Sequence, residues 1–349
     1  MTKGQLTYPE IGQQGEAIAA AWEQLSKQQD WVDKYIGNEA YDEVIFIGSG
    51  SSYYQAQTMA TTFRLWLARP ASAFPSSDIF LFRDQSSAKR GKKLLIGVSR
   101  SGESTEVILA IDSVKGLDNW DTCGITCYED SGMAKQTECL VSPFGKEKST
   151  VMTKSFVSMT FMMQAAIAAA AGGNYSNEMK TVMDLAGAKL KEADEFAQQL
   201  LADNAFTKTI YLGMGSYFGI AQEACLKLKE MSYTWTESYG TMEFRHGPKS
   251  IIEPGSLVIL LLSETARSYE LKVAEEMKDY GAHVLVLTSR IDKDTAFADS
   301  VFEIGGAEVS DEARAVMYLP LLQYVGFWMA VNKGVDPDEP RNLTQVVKI

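Results

Sequence analysis

Histidine is scarce: the chain carries two in 349 residues, His246 and His283. A zinc site built on several imidazoles is therefore close to excluded, and no metal or cofactor is expected. Cysteine is sparse as well. Cys123, Cys127, Cys139 and Cys225 lie in apolar or helical contexts with no CxxC pair, the pattern of reduced, buried thiols and not of a disulfide framework. Basic clusters are absent, and 33 Lys and Arg against 45 Asp and Glu leave a formal charge of -12 and a pI near 4.8. Such a chain is not built to neutralise nucleic-acid phosphates or an anionic membrane surface, so any anionic ligand must be held locally. Long apolar runs are missing too. Phe161 to Ala171 is interrupted by Gln164 and falls short of the ~20 residues that span a bilayer, so it reads as a buried helix. The opening MTKGQLTYPEIGQQGE has no apolar signal core, which predicts a cytoplasmic protein.

What is present is ample core material. Hydrophobic residues at 46% against 22% charged exclude disorder, and the length suggests two domains. The chain also repeats itself. Asp42 to Phe63, DEVIFIGSGSSYYQAQTMATTF, matches Lys208 to Leu228, KTIYLGMGSYFGIAQEACLKL: an apolar strand, a Gly-rich turn with serine, then a helical pattern. Leu94 to Ile108, LLIGVSRSGESTEVI, matches Leu257 to Leu271, LVILLLSETARSYEL. The offsets, 165 from Gly48 to Gly213 and 164 from Ser99 to Ser263, agree, so one domain was duplicated.

In each copy, short aliphatic runs alternate with helix-length segments. The first copy has Val44 to Ile47, Leu94 to Val98 and Thr122 to Thr126; the second has Thr209 to Leu212, Leu257 to Leu262 and Val284 to Leu287. This pattern predicts two tandem doubly wound α/β sandwiches, each of three layers with a parallel sheet between helices. The boundaries expected are 1–174 for the first domain with its N-terminal helix, 175–206 for a helical connector, and 207–349 for the second domain with a C-terminal tail. Ile18, Trp22, Leu25, Val32 and Ile36 mark the amphipathic N-terminal helix. His283, in GAHVLVLT, lies in a strand pattern and reads as structural.

Ligands of open parallel sheets bind beyond the carboxyl ends of the strands. Two such loops in the first copy are rich in hydroxyls: GSGSSYY, with Ser49, Ser51 and Ser52, and SRSGEST, from Ser99 to Thr105. Free backbone N–H groups, a helix dipole and serine hydroxyls together suit a phosphate without any net basic charge. Serine and glycine also favour caps and turns, which is the bland alternative for either loop alone. The second copy has GMGSYFG and SETARS instead, poorer in hydroxyls and carrying Glu264, so its anion site is expected to be lost. Beyond its Gly-rich turn that copy holds Glu223 and Glu230, seven residues apart, and then Glu237, Tyr239, Glu243, Arg245, His246 and Lys249. A buried glutamate can shuttle a proton between adjacent sugar carbons, and a histidine titrates where pyranose ring opening needs it; a solvated helix and polar loop is the alternative.

GSGSSYY, SRSGES, EKSTVMTKSF, EACLKLKEMSY, MEFRHGPKS and DEPRNLTQVV together resemble the tandem sugar isomerase (SIS) family over nearly the whole chain. The likeness is to the isomerase half of glucosamine-6-phosphate synthase and to stand-alone sugar-phosphate isomerases, deaminases and deglycases. It implies that Ser52, Ser99, Arg100, Ser101 and Ser104 bind the anionic end of a sugar, and that Thr150 and Thr153 line its pocket. It implies that Glu230 moves a proton between C1 and C2 and that His246, reaching in from a neighbouring subunit, opens the ring. A homodimer with shared sites follows.

Two departures matter. The first cysteine is Cys123, so glutamine hydrolysis with an N-terminal cysteine is not expected. Gln345 stands where the synthase has an imine-forming lysine, leaving Lys249 or Lys348 as substitutes. The function expected is an aldose–ketose isomerase for a sugar 6-phosphate, with a 6-sulfo sugar as the minority option. Amino-sugar-phosphate deaminase, glycated-amino-acid-phosphate deglycase and non-catalytic sugar-phosphate-binding regulator are the alternatives.

Overall fold

Five short runs in each half of the chain form strands, and the computed structural model, which describes residues 3–202 and 205–347, places them in two separate parallel sheets. The first holds β1 (Glu43–Gly48), β2 (Ala71–Pro75), β3 (Lys93–Val98), β4 (Trp120–Thr126) and β5 (Cys139–Val141), in the order β2-β1-β3-β4-β5. The second holds β6 (Lys208–Leu212), β7 (Thr236–Tyr239), β8 (Ser256–Leu261), β9 (His283–Thr288) and β10 (Ser300–Glu303), in the order β10-β9-β8-β6-β7. The two orders are the same winding. In each, the second strand lies outside the first and the third lies on its other side, so the winding reverses between first and third strands.

Flanking helices explain why the central strands are apolar on both faces. Every residue of β3 and of β8 is buried. On one face of the first sheet Ile45, Ile47 and Leu95 pack with Val107, Ala110 and Ile111 of the helix Thr105–Val114. Phe46, pointing the other way, meets Phe63 of the helix Ser51–Leu67 edge-on at 6.1 Å. The second sheet repeats this with Ile210, Leu212, Val258 and Leu260 against Leu271, Ala274 and Met277.

The chain ends do not stay with the nearer sheet. Residues 13–184 and 344–347 form one compact unit, which contains the first sheet; residues 3–12 and 185–343 form the other. The N-terminal segment is fixed in the second unit by Asp338, whose carboxylate accepts from the backbone N–H of Leu6 and of Thr7, both at 2.8 Å. The stretch between the sheets forms the helices Tyr175–Leu185 and Leu190–Ala202.

The single N-terminal helix expected from periodicity is broken. Gln14–Leu25 is helical, then the chain stops and restarts at Gln29. The cause is Gln28, whose amide donates to Val141 O and accepts from Val141 N, completing the open edge of β5 as a strand residue would. The stretch Asp311–Asn332 is long and apolar enough to cross a membrane by length and composition, but 83% of its most apolar window is buried within the protein. His283 sits in β9 with Nε2 3.0 Å from Ser300 Oγ, and burial lowers its pKa.

One close approach fixes both switch-point turns. A Cβ on Gly48 would lie 2.3 Å from the carbonyl carbon of Ser52, and one on Gly213 would lie 2.7 Å from Tyr217 O. Gly48→Ala should therefore cost about 1–3 kcal/mol, the usual penalty for overpacking. Urea unfolding checks this, and a variant as stable as the parent would contradict the close approach.

Candidate active site

In the first unit the hydroxyl-rich loops leave β1 and β3, the strands that flank the switch point. Ser51, Ser52 and Ser99 are buried there. Ser99 Oγ accepts from Gly102 N at 3.0 Å and lies 3.2 Å from Ser104 Oγ, while Ser101 Oγ accepts from Glu103 N at 3.1 Å. Ser104 holds the N-cap position of the helix Thr105–Val114, yet its hydroxyl makes no capping bond. Capping alone thus does not account for it. The structure brings Ser99, Ser101 and Ser104 into one turn, with Ser52 in the first turn of the helix that follows the adjacent strand β1.

Arg100 behaves differently from its neighbours. It is neither solvent-facing nor a free cation: buried, it donates from Nη1 to Glu147 Oε2 at 3.1 Å and from Nη2 to Thr150 O at 3.1 Å. Glu147 is the hub of this arrangement. Its Oε1 accepts from Thr153 N and Thr153 Oγ1, each at 2.7 Å, and from Ser155 N at 3.1 Å, and its Oε2 accepts from Ser155 Oγ at 2.5 Å. Those bonds fasten the 147–153 loop to the start of the helix Lys154–Ala171. The Thr153 hydroxyl is thereby engaged, and Thr150 presents its carbonyl to Arg100. Gln345 joins the same network: its side-chain amide donates to Lys148 O and Ser149 O, both at 3.0 Å, and its backbone carbonyl lies 3.5 Å from Arg100 Nη2. The Gln345 side chain is therefore a latch for the C-terminal segment. Nothing in the residue pattern around GKEKST announced Glu147.

In the second unit Glu230 projects from the last turn of the helix Ser216–Ser232. Its carboxylate pairs with Lys227, whose ammonium also lies 3.4 Å from Glu223 Oε1. Glu223 and Lys227 are fully buried, whereas Glu230 keeps 17% of its side chain exposed at a cavity of about 620 Å³. Tyr233, Trp235, Glu237, Arg341 and Leu343 line that cavity around Glu230. Tyr233 ends the helix at φ +53, a left-handed conformation that a bulky side chain rarely adopts. It is held there by Arg341, whose N–H donates to Tyr233 Oη at 2.8 Å and whose guanidinium stacks 4.0 Å over the ring. Tyr239 donates to Glu237 at 2.5 Å, and this bond pushes its phenol up to about 12. Lys227 was missed in the sequence, although its spacing of four from Glu223 and three from Glu230 is a readable ion-pair signal.

His246 does not line this cavity. It is exposed between two short 3-10 turns, Glu243–Arg245 and Pro248–Ile251, and among the described residues its imidazole has no hydrogen-bond partner. Lys249 pairs with Glu276, and the hydrogen bonds it donates to Glu276 and Tyr280 raise its pKa. An ammonium held in that state is the opposite of an imine-forming amine. Lys348 lies outside the described residues.

Fold and loops define a duplicated doubly wound α/β protein with hydroxyl-lined switch-point turns in one half and a carboxylate cavity in the other. An SIS domain model matches residues 40–169 and again residues 206–333, and the chain belongs to the SIS domain family. Glucosamine-6-phosphate deaminase of Thermotoga maritima superposes with a TM-score of 0.75 at 28% identity, over 94% of this chain and 99% of that one. Tagatose-6-phosphate ketose/aldose isomerase of Escherichia coli shares the fold, with a TM-score of 0.87 at 22% identity over 96% and 95% of the two chains. The isomerizing glutamine–fructose-6-phosphate aminotransferase of Tropheryma whipplei is 28% identical over 329 residues, 89% of this chain and 52% of that protein. The chain spans about half the length of the curated relatives it matches.

Breaking the buried Arg100–Glu147 pair from one side leaves an uncompensated guanidinium. Glu147→Gln should cost ~3–5 kcal/mol and speed amide exchange in residues 344–347. Chemical denaturation and hydrogen exchange check this; unchanged protection of the C-terminal segment would contradict the latch.

Proposed function

We propose that the chain is an aldose–ketose isomerase for an anionic sugar, a sugar 6-phosphate in the first instance. The observation that carries this reading is Glu230, a carboxylate oriented by a buried ammonium and open to a cavity large enough for a sugar. Ser52, Ser99, Ser101 and Ser104 hold the anionic end through hydroxyls and backbone N–H groups. Arg100 enters as the residue that fastens the Thr150–Thr153 loop and Gln345, since Glu147 already matches its charge. The head group is then recognised by neutral donors, and phosphate against sulfonate is decided by assay.

His246, supplied by the partner copy of a homodimer, relays the anomeric hydroxyl's proton to the ring oxygen, which opens the ring. Glu230 takes the proton from C2 of the open aldose, giving an enediol(ate), exchanges with solvent through its exposed edge, and delivers a proton to C1 as the O2 hydroxyl proton passes to O1, which gives the ketose. Lys227 keeps the carboxylate in place throughout. No protein imine is required, which agrees with an amide at position 345.

One observation favours a second reading. The cavity beside Glu230 is roomier than six carbons need, as a substrate with an amine-linked substituent would require, and the same proton transfer would then lead to deglycation; deamination of an amino-sugar phosphate needs no extra room and is the further alternative. Following ketose and released amine separately over sugar phosphates, amino-sugar phosphates, glycated amino-acid phosphates and sulfo sugars distinguishes these outcomes. Binding to the same panel without any turnover would favour a regulator instead.

Glu230→Gln should lower kcat ~10²–10⁴-fold, the range of general acid–base catalysis, with ligand affinity nearly unchanged. Mixing Glu230→Gln with His246→Ala chains should restore activity in the mixed dimer. No recovery after verified subunit exchange would rule out the shared site.

A further inference from the structure

The repeat allows the two switch points to be laid position on position. At the offsets of 165 and 164, Ser52 corresponds to Tyr217, Ser99 to Ser263, Arg100 to Glu264 and Ser101 to Thr265. The turn itself is conserved between the halves: Ala266 N donates to Ser263 Oγ at 3.0 Å, as Gly102 N does to Ser99 Oγ at 3.0 Å. In the second unit these positions converge on one carboxylate. Asp311 Oδ1 accepts from Glu264 N at 2.9 Å and from Tyr217 Oη at 3.1 Å, and Oδ2 accepts from Thr265 N at 3.0 Å and Thr265 Oγ1 at 2.7 Å. In the first unit the N–H groups of Arg100 and Ser101 meet no protein acceptor among the described residues.

We propose that Asp311 is a resident anion, seated in the oxyanion cradle of the second unit whose counterpart in the first unit serves a ligand. The second cradle is thus not an eroded site but a filled one. Its occupant comes with its own counter-ion: Arg314, fully buried, donates to Asp311 at 2.5 Å and to the carbonyls of Gly306 and Val309. The occupant also accounts for Glu264 and Thr265, which stand where the first loop has Arg100 and Ser101 and both turn their backbone N–H groups to it. Calling the first cradle a ligand site rests on the function proposed above; the occupancy of the second does not.

The charged and titratable groups that face Asp311 are Arg314 and Tyr217, with Glu270 and Tyr318 further off. Burial pushes the Asp311 carboxyl up, but bonds from Glu264 and Thr265 and the Arg314 charge outweigh it, and the net shift is downward. Its stabilisation is therefore present above the ordinary carboxylate range and is lost as pH falls through the lowered value.

The test uses the full chain, with inorganic phosphate and formate as probes. Asp311→Ala should gain one phosphate per chain over the parent in equilibrium dialysis, and its lowered melting temperature should recover with phosphate or formate. The gain over the parent is the readout, so it does not depend on whether the first cradle binds phosphate. Asp311→Asn, which keeps the shape, should melt below the parent at neutral pH, with the gap closing in acid. If Asp311→Ala folds only in the presence of either anion, that also supports the proposal. An Asp311→Asn chain as stable as the parent at neutral pH overturns it, as does Asp311→Ala with neither extra binding nor anion rescue.

Discussion

Where a doubly wound sheet reverses its winding, two loops part and leave backbone N–H groups and hydroxyls that need an acceptor. Both halves of this chain are organised around that requirement. The second half meets it internally, with Asp311 accepting from Glu264, Thr265 and Tyr217. The first half surrounds the same positions with serines and secures the adjoining loops through a different buried ion pair, Arg100 with Glu147. Duplication thus supplied two copies of one electrostatic problem, and the sequence solves them in different ways.

The acidic character of the chain fits this arrangement. Its net charge of -12 gives no general attraction for an anion, so an anionic ligand has to be met by oriented donors. Three buried cations do other work. Arg100, Lys227 and Arg314 are each matched to a carboxylate, Glu147, Glu230 and Asp311 in turn, and each pair fixes a different part of the fold. Paired charges of this kind specify geometry more than they add net stability.

Much of this was legible in the sequence. The repeat, the six central strands and the parallel winding follow from apolar runs at a constant offset, since buried parallel strands must be apolar on both faces. The edge strands β2, β5, β7 and β10 were not read, because short strands such as TESY and SVFE carry polar residues wherever one side meets solvent. Ser99, Ser101 and Ser104 were found as a group because they are adjacent in the chain. Glu147 and Asp311 were not, because their importance lies in partners 47 residues away in one case and 46 and 47 in the other. The break after Leu25 was hidden for the same reason: Gln28 answers to Val141, far along the chain.

The central claim is that Glu230 carries a proton between neighbouring carbons of an anionic sugar. Its most direct measurement is NMR of sugar phosphates, amino-sugar phosphates and sulfo sugars incubated with the protein in D₂O. The account predicts solvent deuterium at C1 or C2 of at least one anionic sugar, and none when Glu230→Gln replaces the parent. A sugar that binds and turns over without deuterium reaching either carbon, or that exchanges equally well in Glu230→Gln, would contradict it.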